Sequence, residues 1–447
     1  MRRFTADWVC PVTSDPIPNG DLLVSEDRIE AVGPSAPMPE NLEADVPVES
    51  FPGCAIIPGF VNVHIHLELT MLRGLLEDLT FVDWIRALTR TKYECMEPGD
   101  IRMSARLGAI ECLLAGVTTV GEVMDQGAGW EAMLEFGLRG VAYQEVFGPD
   151  REMACDSLRG LEERLEHLRV DRGHRLQRVG VSPHAPFTVS DVLYEKVRDL
   201  ATADLLPLAL HIGESGEERA FVRDGAGPFA DYLSGRGIPV EARGVGPIEY
   251  VRDLGMLGPN TLAIHAIDAS SDDIDRFRSA DVAVAHCPKS NLKLGHRIAP
   301  LREFIDAGVR VGLGTDSVAS NNVVDMFEDM RTAIFLQRTR LDDPRALGAS
   351  EVFAMATLGG ARCLGFDAEI GSLEPGKQAD FCVVDLNEPA MQPVYDPIES
   401  MVFSASRQNV RATYVGGRKV DVDCTDLLRE TAEIAVRVAK AKRALSD

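Results

Sequence analysis

Short apolar runs recur through the middle of the chain, and stretches with apolar residues at helical spacing alternate with them. The runs cover residues 56–64, 117–122, 141–146, 179–182, 208–211, 261–265, 282–286 and 311–314. The first, with Ile56, Ile57, Phe60, Val61 and Val63, has the β-branched, continuously apolar character of a parallel strand buried on both faces. Between the runs, residues 100–115, 158–170, 192–203, 272–279 and 301–307 carry helical periodicity. Eight strands alternating with helices predict a (β/α)8 barrel. A doubly wound sheet is the competitor, but no Gly-x-Gly-x-x-Gly follows the first strand.

The two ends have a different texture. Residues 22–24 and 29–32 are brief β-like segments, bounded by Pro18-Asn19-Gly20 and Gly33-Pro34. After residue 366 the same style returns, with strand-like stretches at 381–384 and 412–415. One small β-sandwich assembled from both termini is therefore expected, from residues 1–53 and 367–425, with the barrel over 54–366. Residues 426–446 form an amphipathic helix with its basic residues late, where the helix dipole favours them. That helix, closing a terminal segment 426–447, is read as a packing or dimer contact and not as a membrane anchor.

Composition narrows the partners. The 447 residues, 45% of them hydrophobic, suffice for one large core and an accessory unit. Acidic residues outnumber basic ones 70 to 46, for a net charge of −24, which repels nucleic acid and anionic membrane alike. The nine cysteines are scattered, odd in number and without a Cys-x-x-Cys, which suits reduced thiols in a cytosol. Met-Arg-Arg followed by Phe-Thr-Ala-Asp-Trp is not read as a signal peptide, and no apolar run reaches membrane-spanning length. A cytoplasmic location is expected.

The chemistry sits at the carboxyl ends of the predicted strands. The first ends in His64-Ile65-His66, and residues two apart on a strand project from one face. The fifth ends in His211, the sixth in His265, and the eighth runs into Gly314-Thr315-Asp316. Barrel enzymes place their sites at that end. Imidazoles and a carboxylate converging there make an apt donor set for Zn2+ or Fe2+ with a position left open for water.

These residues resemble the amidohydrolase superfamily, and more narrowly its cytosine/adenosine-type deaminase and triazine hydrolase branch. The likeness rests on Pro58-Gly-Phe-Val-Asn-Val-His-Ile-His, on His211-x-x-Glu214, on the sixth-strand His265, on Ser290-Asn-Leu-Lys-Leu-Gly and on Gly314-Thr-Asp-Ser-Val-Ala-Ser-Asn-Asn. It extends to Gly371-Ser-Leu-Glu-Pro-Gly-Lys-Gln-Ala-Asp and so covers nearly the whole chain. The resemblance implies that His64, His66, His211 and Asp316 hold one divalent metal ion, zinc in preference to iron. It implies that Asp316 is also the base that deprotonates water, that His265 orients the attacking oxygen, and that Glu214 shuttles a proton to a ring nitrogen. Binuclear members carry a bridging lysine on strand four; here no lysine lies between Lys92 and Lys196, which favours one metal.

The resemblance also implies a substrate. The segments from Asn291 and Thr315 onward are similar to deaminases of 5′-modified adenosines, such as S-adenosylhomocysteine, methylthioadenosine or aminodeoxyfutalosine. On that basis His184 contacts the nucleoside and Glu97, with Glu94 as its rival, binds ribose. Glu68 is a candidate for the substrate or its surroundings and equally for a buried ion pair. His286 is a candidate for the surroundings of the substrate or its leaving amine and equally for a satisfied structural histidine. Gln144 and Glu145 are candidates for reading the base edge. His167, His174 and His296 are expected at the surface. The competing readings are hydrolysis of another heteroaryl amine or halide (guanine, cytosine, a pterin or a triazine) and a metal-holding scaffold without turnover. A homodimer is expected from the family.

Overall fold

The computed structural model describes residues 1–34, 46–170 and 176–446. Eight parallel strands form one sheet in sequence order: Phe60–Ile65, Val117–Met124, Arg139–Val146, Gln177–Pro183, Leu208–Ile212, Thr261–His265, Ala283–His286 and Arg310–Leu313. The first, second, third, fifth, sixth and seventh are buried at every residue, as strands covered on both faces must be. The first and last are tied to each other. The Asn62 side chain donates to Thr315 Oγ1 (2.8 Å) and accepts from the Thr315 amide (2.9 Å), while the Asp316 amide donates to the His64 carbonyl (2.9 Å). Helices follow the strands, and a barrel of the (β/α)8 type results.

The chain ends build a second sheet of seven strands, in the order Arg418–Lys419, Val410–Val415, Phe381–Asp385, Val48–Pro58, Arg2–Val9, Ile17–Ser25 and Arg28–Gly33. It encloses its own core, in which Phe381 stacks on Tyr414 at 4.3 Å and meets Phe4 at 5.0 Å. The boundary expected between residues 53 and 54 falls inside the strand Val48–Pro58, so the run 56–64 is two strands and not one. The break is at Gly59. Its amide donates to the Asp380 carbonyl at 3.0 Å, and a Cβ there would come within 2.3 Å of the Thr118 side chain. Ile56 and Ile57 pair with Val383 and Cys382 in the small sheet, and Phe60 starts the barrel.

A buried ion pair joins the two bodies. Arg139, at the start of barrel strand three, donates to both oxygens of Asp380 at 2.7 and 3.1 Å, and Asp380 also accepts from the Gly416 amide at 2.7 Å. The C-terminal helix Thr425–Ser446 lies against the helix Pro98–Leu114, with Leu427 packed on Met103 and Ile110 and Arg437 paired with Asp100. No described helix is long and apolar enough to cross a membrane.

Candidate active site

Barrel strands one, five and six carry their histidines at or just past their carboxyl ends, and Asp316 follows strand eight, so the site is a product of strand register. His64 and His66 leave strand one together, with ring centroids 4.8 Å apart. His211 from strand five lies 5.0 Å from His64 and 5.6 Å from His66. His64, His66 and His211 each offer a ring nitrogen within 4.8 Å of the other two, and His64, His265 and Asp316 form a second such group. Asp316 Oδ1 is 3.3 Å from His64 Nε2 and 3.6 Å from His66 Nε2. His64 is fully buried, its Nδ1 has no hydrogen-bond partner, and its Nε2 faces Asp316 Oδ1 at 3.3 Å. A buried polar atom left bare costs about 1–3 kcal/mol, so this packing makes sense around a cation.

The electrostatics agree. Burial, then the neighbouring His64 charge, holds His66 well below the ordinary histidine range; burial, then His184 and His64, does the same to His211. Neutral imidazoles with free lone pairs are the form that ligates metal. Burial alone would raise Asp316, but the hydrogen bond and charge of His64, with His265 and His66, hold its carboxyl well below the usual range. Its Oδ2 accepts from Ser290 Oγ (2.6 Å) and Ser320 Oγ (2.9 Å), and its Oδ1 from the Ser317 amide (2.6 Å). Neutral His66 and His211, with His64 and an ionised Asp316, make a donor set that fits a divalent cation such as zinc.

Glu214 has the opposite polarity. It follows His211, and burial first, then the charges of Asp316 and Glu218, push its carboxyl well above the ordinary range. Its Oε1 lies 3.4 Å from His265 Nε2 and 3.8 Å from His296 Nε2. The turn that presents it is clamped by Glu218, which accepts from the amides of Gly213 (3.0 Å) and Glu214 (2.7 Å). His265 Nδ1 is hydrogen-bonded to Asn291 Oδ1 at 2.9 Å, and burial lowers its pKa to about 3. His265 and Asp316 both hold left-handed backbone, at φ 71° and 58°. Such conformations cost about 1–3 kcal/mol each and gather at functional sites.

His64, His66, His211, His265, Glu214 and Asp316 are thus brought together. His184 adjoins them, its ring 4.8 Å from His211, and Glu145 Oε1 lies 3.9 Å from His184 Nε2. Burial first, partly opposed by Lys92 and aided by nearby carboxylates, raises Glu145 to about 8. Gln144 is turned inward: its Nε2 donates to the Asp125 carbonyl at 2.7 Å. His286 is buried at the end of strand seven with Nε2 unpartnered, and its desolvation lowers it to about 4.

Two expectations are corrected, Glu97 and His296, and for Glu68 the ion-pair reading is the one seen. Glu97 stands before the helix Pro98–Leu114 with its side chain 77% exposed and 3.9 Å from Arg437, and among the described residues no hydrogen bond or ion pair joins it to the histidine cluster. Its rival Glu94 is exposed and bonds Arg90 at 3.2 Å. Glu68 is occupied structurally: its two oxygens accept from the amides of Asp125, Gln126 and Ala128 at 3.0 Å each, with Lys92 Nζ 3.6 Å away. His296 is not a surface residue; its side chain is 6% exposed, packed on Phe81 at 4.6 Å and near Glu214. His167 is exposed as expected, and His174 lies outside the described residues. The roles of Ser290, Asn291 and Ser320 were not assigned from the sequence, although Ser290 and Asn291 open a motif noted there.

The amidohydrolase family pattern matches residues 55–420. The chain is 33% identical over 428 residues to the 5-methylthioadenosine/S-adenosylhomocysteine deaminase of Nitratidesulfovibrio vulgaris, covering 93% of this chain and 91% of that one. It is 33% identical over 413 residues to the 5′-deoxyadenosine deaminase of Methanothermobacter thermautotrophicus, covering 90% and 89%. Among solved structures, an adenosine deaminase from Xanthomonas campestris with bound zinc superposes with a TM-score of 0.86 at 28% identity, over 98% of both chains. The zinc complex of atrazine chlorohydrolase from Arthrobacter aurescens shares the fold at a TM-score of 0.81 and 24% identity, over 97% of this chain and all of that one. With a family pattern spanning most of its length and relatives a third identical along nine-tenths of it, this chain belongs to the amidohydrolase family.

Proposed function

We propose that the protein is a metal-dependent hydrolytic deaminase that converts a 6-aminopurine nucleoside, a 5′-modified adenosine, to its 6-oxo product and ammonia. The observation that carries this is the pairing of two buried carboxyls of opposite protonation across one cluster of imidazoles. Asp316 is held ionised and Glu214 is held protonated. Relatives named for methylthioadenosine, S-adenosylhomocysteine and 5′-deoxyadenosine support the substrate class.

His64, His66, His211 and Asp316 would hold one divalent cation, zinc by preference, which supplies Lewis acidity and lowers the pKa of a coordinated water. Asp316 accepts the proton of the attacking water, its other oxygen being fixed by Ser290 and Ser320. Glu214 donates its proton to the ring nitrogen beside C6, so that this carbon can become tetrahedral. His265, held by Asn291, faces Glu214 and keeps the oxygen nucleophile and the acid in register. The water oxygen bonds to C6, Asp316 passes the proton it accepted to the 6-amino group, and the C6–N bond breaks to release ammonia. Glu214 takes back the remaining hydroxyl proton as the C6 carbonyl forms, and the ring nitrogen keeps the hydrogen it received. The nine unpaired thiols support a reducing, cytoplasmic setting.

A panel of adenosine, 5′-deoxyadenosine, methylthioadenosine and S-adenosylhomocysteine tests the reading by ammonia release. Turnover of at least one is expected, and Asp316→Asn abolishes it. The second reading is a hydrolase of a free heteroaryl amine such as guanine or cytosine. It is favoured by the displacement of Glu97, which removes the ribose ligand that the resemblance implies.

A further inference from the structure

The corner where barrel strands three and four end offers a replacement for that ligand. Glu145 is 5% exposed, and its Oε1 is buried without a hydrogen-bond partner. The atom facing it, 3.9 Å away, is His184 Nε2. The tautomer of His184 follows from its other side. Thr188 Oγ1 donates to the Ala185 carbonyl at 3.1 Å and lies 2.7 Å from His184 Nδ1. With its own proton committed, the threonine hydroxyl accepts, Nδ1 carries the hydrogen, and Nε2 presents a lone pair.

Each group therefore presents an acceptor atom to one gap, the Glu145 carboxyl in either protonation state. They are too far apart to bond each other, so each is left to a donor brought by a third group. The cations on this side are engaged: Lys92 Nζ lies 3.0 Å from Asp125 and 3.6 Å from Glu68, and Arg164 donates to the Glu145 carbonyl at 3.2 Å. A ligand here has to supply hydrogen-bond donors. The corner also adjoins the reaction centre, because a ring nitrogen of His211 lies within 4.8 Å of both Glu145 and His184 donor atoms. Asp316, His265 and Glu214 occupy the other side of His211. A purine with its reacting edge toward Glu214 extends the remainder of the nucleoside toward strands three and four, where Phe147 lies 5.0 Å from the His184 ring. The adjacent donors a nucleoside has to offer there are its vicinal hydroxyls, which a free heteroaryl amine lacks.

We propose that Glu145, together with His184, clasps the 2′,3′-diol of the ribose and so makes this enzyme select nucleosides over free bases, the part that Glu97 does not play. The inference rests on the nucleoside reading above. A site built around substrate hydroxyls rejects analogues that lack them, because its buried acceptors are then left bare.

The test uses the full-length zinc-loaded enzyme and measures kcat and KM for adenosine and 5′-deoxyadenosine, each against its 2′,3′-dideoxy counterpart. The wild type is expected to favour the diol substrates by about 10²-fold or more in kcat/KM, and Glu145→Gln is expected to shrink that ratio to below about tenfold, with the loss concentrated on the diol substrates. Equal efficiency of the wild type on diol and dideoxy substrates overturns the clasp, whatever the variant does. An unchanged ratio in a folded Glu145→Gln enzyme overturns it as well. Turnover of none of the four, with ammonia released from guanine or cytosine, overturns the nucleoside reading and the clasp with it.

Discussion

At the scale of single residues, the account turns on where one proton sits. Burial raises Glu214 well above the ordinary carboxyl range, so it enters the reaction as an acid. Replacing it with glutamine removes the transferable proton while keeping the shape. A fall in kcat of about 10²–10⁴-fold is expected, with metal content unchanged. The pH dependence has a definite sign. Glu214 works protonated, so kcat falls as the pH rises through its raised pKa. Asp316 works ionised and is held well below the usual range, so it sets no limb near neutrality. A pH profile of kcat should therefore be flat through weakly acidic pH and fall on the alkaline side, and the residual activity of Glu214→Gln should lack that fall. An alkaline limb of the same shape in the variant would assign it to another group.

At the scale of elements, the turn after barrel strand five depends on Glu218, whose carboxylate holds two successive backbone amides. Burial, partly offset by the backbone amides of Glu214, Gly213 and Ser215, raises it from 4.5 to about 7. Between those values the folded chain keeps a proton that the unfolded chain has lost, so stability falls as pH rises through the window. The effect is on the order of 3 kcal/mol. Urea midpoints at about pH 5 and about pH 8 should differ more in the wild type than in Glu218→Gln, since the variant has no proton to lose there. Equal differences would show that Glu218 is not the titrating group.

The elements were also where the sequence was most readable. Parallel strands buried on both faces are continuous apolar runs, so eight of them showed plainly, and their terminal histidines marked the barrel mouth. The division at Gly59 was hidden, because Ile56-Ile57 and Phe60-Val61 are equally apolar although they serve different sheets. Glu97 was misplaced because a glutamate before a helix has the same local pattern whether it binds a ligand or pairs with Arg437. The burial of His296 depends on Phe81, more than two hundred residues earlier, and no local pattern carries that. Glu68 stands beside the metal-site histidines in sequence, yet its oxygens turn away to the loop after strand two.

At the scale of the whole molecule, the barrel is locked at its seam by Asn62 and Thr315 and fastened to the small sheet by Arg139 and Asp380. Removing one member of that buried pair would strand the other charge, at a cost of about 3–5 kcal/mol. The same rigid frame brings His64, His66, His211 and Asp316 together from three strand ends. A cation bound only by the folded frame adds to its stability, by about 2.7 kcal/mol at a hundred times its dissociation constant. Chelation is therefore expected to lower the melting temperature as well as the rate.

The most direct measurement is ammonia release from the best of the adenosine substrates, before chelation, after it, and after titration with zinc. The account predicts that turnover vanishes with the metal and returns in full at one equivalent of zinc per chain. Turnover that survives complete removal of the metal, or that needs two equivalents to recover, would contradict it.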